Sequence, residues 1–404
     1  MTSRDGDSPS HFVKGVCLMA YSNHESKNYQ IEYLRFFAII FVLIEHFPTI
    51  YIWSSHLFLA NINKYLQFWP GVDLFLAISG YIVGSNLFKE MSTDSKKQPV
   101  FKNILYPFFI KRAFRLLPGS WLWMGLVLLA SMIYNQTNAF GQPFQNFIYS
   151  LSILTFTYNI FAGYFLEAGF LPTYGPYWSL SLEEQFYFIA PFILLFFNAQ
   201  LRNVTLIILA IILFFTIDQN GWTPNFRYEA LILGLLLAIA KNKFRNRLQP
   251  AFMQNRLIRL IFFNLLIFSL LITPAIFDKK WFMLGTLALI SVALVYFSCW
   301  PEEYLLRIRK DSPLSKVMIW IAARSYSLYL IHMPVIYFVQ ETTVRIFIKY
   351  GFKPKDDLLV SFVMSFAAVT LLMLLADINY RFVENPLRDK GRAIAMRQKT
   401  KKGL

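Results

Sequence analysis

The residues able to do chemistry sit where an apolar chain least accommodates them. The stretch Tyr33–Pro48, YLRFFAIIFVLIEHFP, carries Arg35 near its start and the pair Glu45-His46 near its end. A charged group at the centre of a membrane helix costs roughly 2.5–3.5 kcal/mol, so an ionisable residue there marks a functional site by default. At 1.5 Å per residue, His46 lies about 20 Å along the axis from Tyr33, in the far half of a hydrocarbon core ~30 Å thick. Histidine titrates near neutrality and serves as a general base or a nucleophile. A second imidazole, His332 in SYSLYLIHMP (Ser325–Pro334), stands about 18 Å along its span when Trp320 is taken as the near edge. Two histidines at similar depth are what a shared site requires.

Carboxylates and guanidiniums surround this pair in the sequence. Asp73 in GVDLFLAISGYIVG lies two residues past Gly71, either as a helix N-terminal carboxylate worth about 0.5–2 kcal/mol or as a partner of the catalytic histidine. Ser79-Gly80 and Gly84 read as close-packing positions on that helix. Arg35 follows Glu32 by three positions, so the two pair on one face. In KRAFRLLP (Lys111–Pro118), Arg112 and Arg115 share a face, either as anchors at the inner membrane surface or as a fork for phosphate or pyrophosphate. In PYWSLSLEEQFYFIAP (Pro176–Pro191), Ser181 and Glu184 have the spacing of a capping box. That leaves Glu183 to share a face with Tyr187, while Tyr177 and Trp178 suit an aromatic belt. Arg227 and Glu229 of NFRYEALILG either neutralise one another or border an outer cleft.

The elements that must position these groups are membrane helices. Hydrophobic residues make up 56% of the chain, aromatics 18% and charged residues only 15%, with a mean hydropathy of +0.45. That balance excludes an ordinary soluble domain. The 42 Phe and 22 Tyr suit lipid-facing surfaces and interfacial belts. A net charge of +16 would fit a nucleic-acid partner, but the basic residues cluster between apolar runs, so the partner is the bilayer. Cys17 and Cys299 are the two cysteines, which leaves no disulfide framework and no thiolate metal site; no metal is expected.

Runs of about 20 apolar residues fall near 33–53, 71–89, 117–135, 183–199, 202–218, 225–240, 257–276, 281–299, 314–340 and 357–379. The run 146–163 is expected to be interfacial or re-entrant. Lys89, Lys96, Lys97, Lys102, Lys111, Arg112 and Arg115 place one loop in the cytoplasm; Lys241, Lys243, Arg245, Arg247 and Arg256 place another, and Arg307, Arg309 and Lys310 a third. The basic tail, with Arg388, Arg392, Arg397, Lys399, Lys401 and Lys402, is cytoplasmic as well. The basic stretch Arg345–Lys355 falls on the outer side, against the rule. The expected fold is therefore an all-α polytopic bundle of about ten spans, with both termini cytoplasmic. Residues 1–30 read as a flexible tail, 31–388 as the membrane domain and 389–404 as a basic tail. The apolar patch Phe12–Tyr21 is too short and too poorly flanked for a secretory signal, and Met19 is an alternative start. There is no fixed-period repeat and no large soluble domain, so chemistry must occur within or at the faces of the bundle.

In this order the blocks EYLRFFAIIFVLIEHF (Glu32–Phe47), GVDLFLAISGYIVG, KRAFRLLP, WSLSLEEQFY, FRYEALILG, SYSLYLIHMP and YRFVENPLR (Tyr380–Arg388) resemble acyltransferase family 3, the multi-spanning O-acyltransferases of cell-envelope glycans. The resemblance runs from Glu32 to Arg388. Two positions depart from it: Glu45, where the family is more usually apolar or aromatic, and Gly119-Ser120-Trp121 after Pro118. No segment of this sequence reads as the soluble esterase-like domain fused to some members, so acceptor handling is expected to rest with the bundle.

The resemblance implies transfer of an acyl group, most often acetyl, from cytoplasmic acetyl-CoA or another acyl-CoA. The acceptor is a hydroxyl of an envelope glycan or lipid-linked glycan, such as lipopolysaccharide, at a bacterial inner membrane. His46 is then the general base or a transient acyl carrier, with Glu183 or Asp73 orienting its imidazolium. Arg112, Arg115 and Lys111 are expected to hold the CoA phosphates. Trp178, Ser179, Tyr187, Tyr329, Arg35 and His332 are the expected substrate contacts. The rival reading is a proton-coupled secondary transporter using the same groups as a relay; missing inverted repeats and missing broken-helix pairs speak against it.

Overall fold

The computed structural model describes residues 28–51, 62, 64–93, 101–169, 173–215, 226–244, 255–278, 280–300, 306, 308–309, 311–352 and 358–400. The tail to residue 27, with Cys17 and Met19, lies outside them, as do Lys96, Lys97, Arg245, Arg247, Arg307, Lys310, Lys355, Lys401 and Lys402.

Among the described residues every regular element is helical. The first half comprises α1 (Tyr29–His46), α2 (Gly71–Thr93), α3 (Tyr106–Ile133), α4 (Pro143–Leu154), α5 (Tyr158–Glu167), α6 (Tyr177–Phe196) and α7 (Ala199–Phe214). The second half comprises α8 (Tyr228–Phe244), α9 (Arg256–Ile276), α10 (Met283–Ser298), α11 (Pro313–Ala323), α12 (Ser325–Tyr350), α13 (Leu358–Asn379) and α14 (Asn385–Thr400). Six helical stretches are long and apolar enough to cross a membrane by length and composition: Tyr29–Ile50, Gly71–Met91, Asn103–Ile133, Tyr177–Phe196, Arg256–Ile276 and Leu359–Arg397. The described residues are thus those of an all-helical membrane protein.

Local chemistry explains where these helices begin and end. Asn28 accepts the N–H groups of Gln30 and Ile31 at 3.0 and 3.4 Å and starts α1. Asn255 does the same for α9, and Ser312 with Pro313 starts α11. Gly351, at φ +67°, closes α12.

Four boundaries differ from the sequence reading. Ser181 is not an N-cap: α6 begins at Tyr177, because Tyr177 and Trp178 already donate to the carbonyls of Tyr174 and Gly175 at 2.9 and 3.4 Å. Lys111, Arg112 and Arg115 do not lie in a loop, because a π-helical turn at Phe101–Leu105 runs straight into α3 and carries all three inside one helix. The run 314–340 is two helices that break at Arg324. The run 146–163 is split between α4 and α5, of 12 and 10 residues, at Phe156, whose φ is +57°. Neither piece is long enough to cross.

The core is welded around α2. A Cβ on Gly80 would stand 2.1 Å from the carbonyl oxygen of Leu231, and one on Gly234 would stand 2.3 Å from that of Ala77. The backbones of α2 and α8 are thus in direct contact, the use membranes make of small residues. By contrast α7, α9 and α13 expose Ile207, Ile211, Leu257, Ile261, Phe362 and Phe366, the apolar side chains that suit lipid. Helices α1, α3, α6 and α12 gather near α2 and supply the site.

Candidate active site

One cavity is lined by Arg35 of α1, Phe75 and Ser79 of α2, Arg112 and Arg115 of α3, Ser179, Glu183 and Tyr187 of α6, and Tyr326 and Tyr329 of α12. Among the side chains lining it, three are guanidiniums and one is a carboxylate, a lining that suits an anion. The carboxylate is already engaged: the Tyr187 hydroxyl donates to Glu183 Oε2 at 2.5 Å and pairs with Ser79 Oγ at 2.6 Å. The Arg112 guanidinium lies 4.7 Å from the Tyr187 ring centroid. Arg35 reaches Glu32 at 3.6 Å, and the buried Nε atoms of Arg35 and Arg115 have no hydrogen-bond partner. Such orphaned donors inside a cationic cavity are the groups an anionic ligand satisfies.

At the other end of α1 stand the histidines. The rings of His46 and His332 lie 5.0 Å apart, inclined at 61°. His46 Nδ1 meets the carbonyl of Val42 at 2.8 Å, and His332 Nδ1 meets that of Leu328 at 3.3 Å. A carbonyl only accepts, so each neutral imidazole carries its proton on Nδ1 and leaves Nε2 as the base. His46 is half-buried, whereas His332 is 0% exposed and its Nε2 has no partner. Pro334 follows two residues later and removes the helix hydrogen bond that Leu330 would otherwise accept.

Tyr329 joins the two ends. It lines the arginine cavity, and its ring is 5.8 Å from that of His332. Its hydroxyl pairs with Ser179 Oγ at 2.7 Å and reaches the carbonyl of Pro176 at 3.2 Å.

Neither carboxylate assigned to His46 touches it. Asp73, 0% exposed, accepts from Arg227 at 3.1 Å, and that guanidinium is flanked by the rings of Trp69 at 4.3 Å and Trp178 at 5.0 Å. Arg227 therefore pairs with Asp73 rather than with Glu229, and Trp178 belongs to this cluster rather than to a belt. Glu183 belongs to the arginine cavity. Lys111 is bound to Glu90 at 2.5 Å and is not among the residues lining the cavity. Arg35, Arg112, Arg115, Ser179, Glu183, Tyr187 and Tyr329 do converge on one cavity, and His46 and His332 on one pair.

The sequence reading left Glu45 without a task. Its Oε2 accepts the N–H groups of Phe68 and Trp69 at 2.8 and 3.0 Å, so it caps the turn that leads into α2. The turn after His46 is pinned as well, by Gln340 on the Thr49 carbonyl and by Tyr51 on Ser365. The buried carboxylate of Glu384 accepts from Ser327 Oγ at 2.8 Å, which in turn accepts from Asn379 at 2.8 Å. A π-helical turn at Tyr380–Glu384 delivers it, a local insertion that helical periodicity does not reveal. Arg345, the outlying cation of the charge pattern, is neutralised by Glu341 at 2.6 Å and stacks on Tyr134 at 4.1 Å.

The comparisons with known proteins give the family. The acyltransferase family 3 model, described as an acyltransferase domain, matches residues 28–377. Over 383 residues the chain is 28% identical to O-acetyltransferase OatA of Staphylococcus aureus strain NCTC 8325 and to that of strain COL, covering 89% of this chain and 57% of each relative. Another protein of strain COL, named as a candidate O-acetyltransferase, is 26% identical over 385 residues with the same coverage. The chain thus spans a little over half the length of the curated relatives it matches. No solved structure matches. The family model covers every residue of the arginine cavity and of the histidine pair: the chain belongs to acyltransferase family 3.

Proposed function

We propose that this chain is a membrane O-acyltransferase that moves an acyl group, acetyl in the first instance, from acyl-CoA to a hydroxyl of a cell-envelope or exported glycan. The observation that carries this reading is Tyr329, shared between a cavity with three arginines and a pair of free imidazole bases. Arg112 and Arg115, aided by Arg35, hold the CoA phosphates as bidentate donors. Lys111, bound to Glu90, steers CoA from outside rather than gripping it. At 1.5 Å per residue the eleven positions from Arg35 to His46 span about 17 Å, comparable with the reach of a pantetheine arm. The thioester passes Ser179 and Tyr329 and meets His46, while the acceptor hydroxyl arrives from the histidine end.

In this arrangement the end of the bundle with the N-terminus of α1 faces the cytoplasm, the basic loops and both termini lie on that side, and about ten crossings span a bacterial inner membrane. His46 supplies base or carrier chemistry, worth about 10²–10⁴-fold for a positioned imidazole. Among the described residues no three of His, Cys, Asp and Glu converge to hold a metal, and acyl-CoA is the co-substrate.

The test is transfer of label from radioactive acetyl-CoA to an envelope glycan by the isolated protein. The His46→Ala protein, inserted normally, is expected to lose about 10²-fold or more. Transfer at the wild-type rate contradicts the reading, as does uptake of substrate into vesicles without any transfer. Comparing envelope glycan masses with and without the protein identifies the acceptor.

A further inference from the structure

We infer that the two histidines divide the reaction, His46 carrying the acyl group and His332 removing the proton of the acceptor hydroxyl. This rests on the acyltransferase reading above.

The argument begins with the tautomers. Both Nδ1 atoms are committed to backbone carbonyls, of Val42 and of Leu328. Each imidazole therefore has a single basic atom, Nε2. If His46 is acylated at Nε2 it has no second site at which to accept a proton, because its Nδ1 already holds one against Val42. The acceptor step then needs another base. The neighbouring carboxylates are engaged: Glu183 by Tyr187, Glu45 by two backbone N–H groups, and Asp73 by an ion pair from its Oδ2 to Arg227, its Oδ1 being buried without a hydrogen bond. His332 is not. Its Nε2 is buried and without a partner, on a ring 5.0 Å from that of His46. A buried polar atom without a partner calls for a task. The assignment also follows the cavity: Arg35 lies on the same helix as His46, so the donor arm runs along α1 to the half-exposed imidazole. His332 is sealed from bulk water, which keeps it from activating water against the acyl intermediate.

The steps balance. His46 Nε2 adds to the thioester carbonyl carbon, the C–S bond breaks, and the CoA thiolate leaves toward the arginines. The acyl-imidazolium keeps its Nδ1 proton against Val42. The acceptor oxygen then bonds to the acyl carbon, its proton passes to His332 Nε2, and the C–N bond breaks with its electron pair returning to His46. His332 finally passes its proton to the regenerated Nε2 of the half-buried His46, which gives it up through solvent to the thiolate, leaving an ester and free CoA.

The experiment uses the full chain in detergent or liposomes with radiolabelled acetyl-CoA. For His332→Gln, CoA release is expected as a burst approaching one per protein, with label held on the protein in a hydroxylamine-sensitive form and transfer to glycan down about 10²-fold or more. His46→Gln should show neither burst nor label. A His332→Gln protein that transfers normally, or one that never acquires label, overturns the inference. A second measurement needs no variant: the wild type, rapidly quenched without acceptor, should show the same burst with the label on His46. Linear CoA release with unlabelled protein overturns the division of labour. Failure of the wild type to acylate any glycan strikes instead at the acyltransferase reading, so the two failures are distinguishable.

Discussion

Around the arginine cavity, three guanidiniums, a carboxylate and several tyrosine and serine hydroxyls are drawn from α1, α2, α3, α6 and α12, and some lean on one another through the Ser79–Tyr187–Glu183 chain. At the histidine pair, two imidazoles stand 5.0 Å apart, each with its Nδ1 on backbone of its own helix. The difference has a physical meaning. Dispersed positive charge is redundant, so losing one member weakens binding without abolishing it. A site of two basic nitrogens has no spare, so losing either stops a step. The cavity should therefore govern donor affinity and the pair should govern turnover.

Substitutions at three positions break or sharpen this contrast. The largest effect is expected for His46→Ala, with kcat lower by about 10²–10⁴-fold and donor affinity within about twofold of wild type; steady-state kinetics in liposomes measures both. Next comes Arg227→Ala, which belongs to neither end. It leaves Asp73 buried without its ion-pair partner, a loss of about 3–5 kcal/mol of stability, read as a lowered unfolding midpoint in detergent. The smallest effect is at Glu45. Glu45→Ala strands the N–H groups of Phe68 and Trp69 and should cost about 1–3 kcal/mol. Glu45→Gln keeps an acceptor oxygen there and should stay within about 1 kcal/mol of wild type by the same reasoning. Equal losses for the two variants would show that the charge, not the cap, is what matters.

Much of the site was legible in the sequence because spacing along one helix survives folding. The three-residue interval placed Arg35 beside Glu32, and that between Arg112 and Arg115 brought both to one cavity. Counting rise per residue put His46 and His332 at one depth, and they meet. What stayed hidden depended on contacts between distant segments or on irregular backbone. Asp73 and Arg227 are 154 positions apart, so nothing local advertised their pairing. Ser181 has the spacing of a cap, but the turn at Tyr174–Tyr177 starts the helix earlier and buries that serine inside it. Glu384 reaches its place through a π-helical turn. Glu45 looked costly only because the N–H groups it satisfies belong to the next helix's approach.

The division between a binding end and a reacting end is most directly tested by equilibrium binding of CoA to the purified protein and its variants. The account predicts that Arg112→Ala and Arg115→Ala each weaken CoA by about tenfold, about 1.4 kcal/mol, while His46→Ala binds it as the wild type does. Loss of CoA affinity in His46→Ala, or wild-type affinity in both arginine variants, would contradict it.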